Sequence, residues 1–333
     1  MAVEVSKASA QELSIQEALD KKAARKQLVS RIVPYVGLAF VLVFFSVVTG
    51  GRFISPANLT NMVNQCFSLV IVAVGASFVY AHGGMDFSIG ASCGVAQMVG
   101  GLVLTKLGLP MPVVILATLI VPVLGCLLVA LISAVFHVPV FIGSMCARSV
   151  FMGILTVGVS RSEIAISIAK YGYMNNVVLK VIVLAVVIAA GTYVFEFTAL
   201  GKREKAIGGN MATARQAGIR INKQIFWAYA LMGLCVGVAA VFSMFRSGTV
   251  IINSGSGMEF NIMLAVVLGG FPMSGGDKAS VGSAIVGALT AILLTNGLTV
   301  WGLDPNLVNG VKGLLFVAII GLSYDRSLGK LVT

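Results

Sequence analysis

The sequence predicts an all-α fold: a polytopic transmembrane helical bundle of about ten spans, several of them broken. Three observations carry this expectation. Of the 333 residues, 58% are hydrophobic and only 11% charged, a balance foreign to water-soluble domains. Apolar segments recur at about 32–51, 58–82, 87–107, 111–136, 139–160, 176–197, 224–246, 259–271, 278–300 and 306–323. The 23 Lys and Arg residues gather mostly at the ends of these segments, where they set topology and meet anionic lipid headgroups.

Residues 1–30 form a polar, helix-prone arm with possible capping boxes at Ser9–Glu12 and Ser14–Glu17. Lys21, Lys22, Arg25, Lys26 and Arg31 precede the first span and place the arm in the cytoplasm. About 30 polar residues before the first apolar run are too many for the n-region of a cleavable signal peptide. Residues 31–323 form the membrane domain. An even number of spans returns the tail, 324–333, to the cytoplasm, where Arg326 and Lys330 belong.

Two segments are interrupted. The second ends in Ala81-His82-Gly83-Gly84-Met85-Asp86, and the third begins at Phe87. The eighth, about 13 residues long, cannot cross a bilayer at 1.5 Å per residue. It runs into Gly269-Gly270-Phe271-Pro272-Met273-Ser274-Gly275-Gly276. Pro272 cannot continue a regular helix, so a half-helix should end near Gly270, with a short turn through Asp277 and Lys278. Broken helices leave backbone groups that only protein or a water-filled cavity can satisfy, and they commonly line solute pathways. The alternative is a plain re-entrant turn that lets helices pack.

Residues 196–223 are a polar island. Lys202, Arg203, Lys205, Arg215, Arg220 and Lys223 outnumber Glu196 and Glu204, which places this loop in the cytoplasm. Residues 211–217 favour helix, with Asn210 as N-cap and Gly218 as terminator. The loop therefore presents either a short helix to a cytosolic partner or an ordinary charged surface.

Few charges fall inside spans. Arg148 lies roughly nine residues into the fifth, near the bilayer midplane, where an Arg facing lipid costs about 2.5–3.5 kcal/mol on insertion scales. No acid lies one turn away on its own helix, so any charge partner must come from another span; helix carbonyls, cavity water or a solute's hydroxyls are the other partners on offer. Arg148 either faces the pathway or ties together carbonyls of broken helices. Lys180 and Lys312 stand near outer ends and can snorkel. Asp86 can cap the third helix, and Glu259 opens the eighth.

Other classes are excluded by what the chain lacks. There is no GxxxxGK[ST] loop, no HExxH and no GxSxG, so neither ATP hydrolysis nor a hydrolase site is expected here. The five Cys lie in apolar segments without CxxC spacing and are expected as small buried hydrophobes. The two His, His82 and His137, carry no metal signature. The net charge of +11 has no aromatic-interleaved basic face, which argues against nucleic acid.

Four stretches resemble the membrane permeases of bacterial ABC importers for ribose and other simple sugars, whose relatives carry nucleosides, autoinducer-2 or branched-chain amino acids. They are GGMDFSIGAS (83–92), LGKREKAIGGNMATARQAGI (200–219), residues 255–297 from GSGMEFN through AVVLGG and SGG to Asn296-Gly297, and Val311-Lys312-Gly313. Together they cover most of residues 50–323. The resemblance implies a type II-like importer: two permease chains, identical or different, forming the pathway, and separate ATPase subunits carrying ATP and Mg. An extracytoplasmic binding protein would deliver the solute. It places ATPase coupling on Gly208, Gly209, Asn210, Ala214, Arg215 and Gly218. The pathway candidates are Arg148, Asp86, Glu259, Gly269 and Gly270. The chain departs from the family at Phe271-Pro272, where Thr and a small residue are common. It departs again at Met152-Gly153, where the family often has Arg-Gly and Arg148 lies a turn earlier. Ribose is therefore not assigned by resemblance alone. The rival expectation, an ion-driven secondary transporter, needs intramembrane carboxylates, for which Asp86 and Glu259 are the candidates.

Overall fold

The computed structural model describes residues 32–159 and 163–323. All ten apolar segments fold as helices: α1 (Ile32–Val48), α2 (Pro56–Ala81), α3 (Ile89–Thr105), α4 (Met111–Phe136), α5 (Val140–Val159), α6 (Val177–Thr192), α9 (Ile221–Ser247), α10 (Met258–Leu268), α11 (Val281–Val300) and α12 (Pro305–Ser323). A π-helical turn, Tyr193–Phe197, extends α6. Between it and α9 lie two polar helices, α7 (Ala199–Gly209) and α8 (Met211–Gln216). Among the described residues, six helices are long and apolar enough to cross a bilayer by themselves, whereas α1, α3, α10 and the Asn306–Ile319 stretch of α12 are shorter apolar helices. The expected arm, 1–30, and tail, 324–333, lie outside the described residues.

The helix starts follow capping chemistry. Ser55 accepts from Asn58 N–H at α2, Asn176 from Val178 N–H at α6, and Ser280 from Ser283 N–H at α11. Gly248, at φ 67°, closes α9 in the left-handed conformation that glycine adopts without a Cβ clash. Two residues after α5, Ile164–Ala165, pair antiparallel with Thr249–Val250 after α9.

Helix α2 is the axis of the bundle, with every residue from Leu69 to Ala81 buried. Helix α9 packs against it and against α4. The α9–α4 contact uses Gly233 and Gly237, four residues apart; an added Cβ at Gly233 would lie 2.6 Å from Val123 Cα. Small residues at this spacing let backbones approach, the main source of association where lipid removes the hydrophobic drive. Helix α6 contrasts with α2: among its described side chains only Lys180 is buried, as befits an apolar helix facing lipid.

The expectation for Lys180 is corrected. Lys180 does not snorkel; it is buried and donates to Asn64 Oδ1 at 2.6 Å and to Asn175 Oδ1. Lys312 donates to Asn261 Oδ1 at 3.0 Å. The amide oxygens of Asn64 and Asn175 satisfy the buried Lys180 ammonium within the protein. The cysteine expectation is corrected in part: Cys93 and Cys126 are buried, Cys66 and Cys235 partly so, but Cys146 is exposed.

Candidate functional site

The two breaks and the intramembrane charges meet along α10. Glu259 lies in the first turn of α10, after Gly257 at φ 81°, where free N–H groups favour a carboxylate. Its side chain is 2% exposed, and its Oε1 lies 3.0 Å from Nη2 of Arg148 on α5, whose side chain is 32% exposed. Arg148 thus has a charge partner, and it comes from another helix. Gly90 on α3 makes room for this carboxylate: a Cβ there would sit 2.1 Å from Glu259 Oε2. Neither carboxylate oxygen makes a further hydrogen bond among the described residues, so Arg148 is what offsets the buried charge.

Both residues line a cavity of about 650 Å³. Asn261, Asn309 and Lys312 contribute polar groups, and Phe260 and Phe316 contribute apolar wall. The volume falls within the range of small-molecule sites, and the lining combines donors, acceptors and aromatic faces. Such a lining can hold a neutral, hydroxyl-rich solute without burying an unpaired charge.

The other pathway candidates lie elsewhere. Asp86 does not line this cavity. It is 1% exposed in the turn between α2 and α3, where its Oδ1 accepts from Ser88 N–H at 2.6 Å. It thus serves the turn that starts α3, although Ser88 occupies the cap position itself. Gly269 and Gly270 stand at the opposite end of α10. They line a second cleft of about 450 Å³ with Asp277, Lys278, Ser280, Glu196 and Lys205. The helix ends at Leu268 and α11 starts at Val281, so the expected break is present. Its glycines are needed for packing as well: a Cβ at Gly269 would meet Ser283 O at 1.9 Å, and Gly270 is at φ 68°.

The basic loop folds more completely than a single helix from 211. Helix α7 is added, capped by Thr198. Asn210 is the N-cap of α8, accepting from Thr213 N–H at 3.0 Å, and Gly218, at φ 80°, terminates it. The six coupling candidates therefore separate. Gly208 is not a free docking surface, because a Cβ there would lie 2.0 Å from Ala81 O and 2.6 Å from Gly276 N. Ala214 is buried, and the Asn210 side chain is engaged in capping. Gly209, Arg215 and Gly218 are exposed, and nothing lies within 4 Å of a Cβ added at Gly209. Beside them, Arg203, Gly218, Arg220 and Lys223 line a shallow basic cleft of about 320 Å³.

Two contacts in this region escape sequence reasoning. Lys205 pairs with Glu196 at 2.6 Å, and His82 with Glu204 at 2.7 Å. The first was open to inspection, since both residues sit in the same loop. The second joins residues 122 apart, which no local signal announces.

A multi-pass bundle with short broken helices and a charge-paired cavity is the architecture of a membrane permease. The chain belongs to the family described as branched-chain amino acid transport system / permease component, whose profile matches residues 58–320. It is 28% identical to the ribose import permease protein RbsC of Bacillus subtilis, over 90% of this chain and 94% of that protein. RbsC of Escherichia coli K12 is also 28% identical, over 85% and 91%. The xylose transport system permease protein XylH of Haemophilus influenzae is 24% identical, over 85% and 93%. No solved structure matches the chain significantly.

Proposed function

We propose that this chain is the permease subunit of an ATP-driven importer and forms the translocation pathway for a simple sugar, a pentose such as ribose or a related monosaccharide. The observation that carries this reading is the cavity of about 650 Å³ walled by the Arg148–Glu259 pair. Its neutralised charges and amide groups suit hydroxyls. Family membership and relatives named for ribose and xylose import support the same substrate class.

The partners follow. A separate ATPase subunit, carrying ATP and Mg, docks on Gly209, Arg215, Gly218 and the adjoining basic cleft. An extracytoplasmic binding protein delivers the sugar, and a second permease chain completes the pathway. The protein resides in the bacterial inner membrane, with both termini and the basic loop cytoplasmic and basic residues against anionic lipid. Residues 1–30 are the cytoplasmic arm, 31–323 the permease domain and 324–333 the tail.

Reconstitution into proteoliposomes with the ATPase and binding protein tests this. Uptake of radiolabelled pentose should need ATP and both partners, and the chain alone should not hydrolyse ATP. Uptake driven by a proton or sodium gradient without the ATPase would establish a secondary transporter instead.

A further inference from the structure

The basic loop is anchored to the bundle by a contact that the proposed pathway does not use. Glu204 faces inward from α7 and is fully enclosed, with its Oε2 2.7 Å from His82 Nδ1. His82 is the C-cap of α2 and is 8% exposed. Around it, three chain segments meet through backbone. Gly276 N–H donates to Ala81 O at 2.9 Å. A Cβ at Gly208 would lie 2.0 Å from Ala81 O, and one at Gly83 would lie 3.1 Å from Ser274 O. Helix α7, the end of α2 and the turn before α11 are thus locked at one point. Among the described residues, His82–Glu204 is the one side-chain hydrogen bond there.

The same point leads to the cavity. From His82 the chain runs through residues 83–88 into α3. Phe87 N–H donates to Ser144 Oγ at 3.1 Å, and Ser144 lies one turn before Arg148 on α5. The Phe87 ring packs edge-on against Phe260, next to Glu259, and Gly90 abuts Glu259 itself. Packed backbone therefore runs from Glu204 to both members of the Arg148–Glu259 pair.

The chemistry of the pair argues for positioning rather than stability. A buried hydrogen-bonded pair is often no more stabilising than apolar side chains of similar volume. This one is also incompletely satisfied: among the described residues Glu204 Oε1 and His82 Nε2 have no hydrogen-bond partner. It holds α7 against α2 in one register and leaves polar atoms for another.

We propose that His82 and Glu204 are positioning residues that carry movement of α7 into residues 82–88, and so to the Arg148–Glu259 pair. This rests on reading the exposed face of α7–α8 as the ATPase dock. Spatial continuity alone is not coupling, so the decisive quantity is sugar transported per ATP hydrolysed by the complete importer in proteoliposomes. Glu204→Met, Glu204→Gln and His82→Gln should each lower that ratio at least fivefold. ATPase co-purification and ATP hydrolysis should stay near those of the unaltered complex, while the thermal midpoint falls modestly because one buried partner is left unsatisfied. The double variant Glu204→Gln/His82→Gln should be no worse than the poorer single, as expected of two groups in one interaction. Ratios within twofold of the unaltered complex in all three single variants would overturn the proposal. So would additive losses in the double variant, or loss of folded protein in all three, which would make the pair a folding contact. If the unaltered chain fails to bind the ATPase, the docking reading falls, and this proposal with it; that outcome is visible before any variant is made.

Discussion

The two acid–base pairs of this protein are built alike and placed differently. Arg148–Glu259 and His82–Glu204 each join a carboxylate on one helix to a cation-forming side chain on or beside another, at 3.0 and 2.7 Å. The first opens on a cavity, with the guanidinium 32% exposed; the second is sealed, with side chains 3% and 0% exposed. A half-exposed guanidinium can trade its carboxylate for water or a solute hydroxyl. A sealed pair can change only when the helices that carry it move. The difference teaches that burial, not chemical identity, separates a pair open to a cavity from one sealed between helices.

The largest effect should come from breaking the open pair on its exposed side. Arg148→Met leaves Glu259 buried without a counter-ion, a loss of roughly 3–5 kcal/mol for such pairs. Transport should fall more than tenfold, and a thermal melt should show a lower midpoint. Glu259→Gln leaves the charge on the half-exposed guanidinium, which water can reach, so its midpoint should fall less. Equal midpoints for the two variants would erase the contrast between the pair's two sides.

Next in size is a pair of glycine substitutions on neighbouring positions. Gly208→Val should destabilise the chain and lower expression, since its Cβ meets Ala81 O at 2.0 Å. Gly209→Val meets nothing within 4 Å and should leave the fold intact while weakening ATPase co-purification. Normal transport by Gly209→Val would return α8 and its surroundings to an ordinary charged surface.

A smaller change probes the cavity side. Gly90→Ala would push a methyl onto Glu259 Oε2 at 2.1 Å and displace the carboxylate. Overpacking of this kind typically costs about 1–3 kcal/mol, and uptake should drop by a smaller factor than in Arg148→Met. Unchanged uptake would detach the position of Glu259 from transport.

The smallest effect belongs to the exposed basic surface. Arg215→Ala should not alter the thermal midpoint, because the side chain is exposed and pairs with no acid among the described residues. It should weaken ATPase binding several-fold in low salt and less in high salt, where screening already weakens the contact. Salt-independent binding would remove electrostatics from the docking surface.

Much of this was legible from residues alone. Segment positions follow from apolar runs, because a bilayer tolerates little else. The break after Leu268 follows from Gly-Gly-Phe-Pro, the cap at Asn210 from its amide, and the end of α8 from Gly218. These are local effects, set by each residue's own backbone preferences. The roles of single glycines were not legible. Gly208 and Gly209 are identical neighbours, yet one packs against Ala81 and the other faces open space.

The sequence by itself determined a membrane-embedded helical chain, the places where its helices break, and that any acid paired with Arg148 lies on another helix. Tertiary structure alone decided that Arg148 meets an acid and that the acid is Glu259. It also decided that Lys180 is buried on amide oxygens, that Lys312 meets Asn261, and that Glu204 reaches His82. The physical reason is the range of the interactions. Backbone preference and hydropathy act over a few residues and are written where they act. Pairing of buried charges depends on which helices pack together, and that is fixed by close approach at glycines such as Gly90, Gly208 and Gly233, far along the chain from the partners they admit.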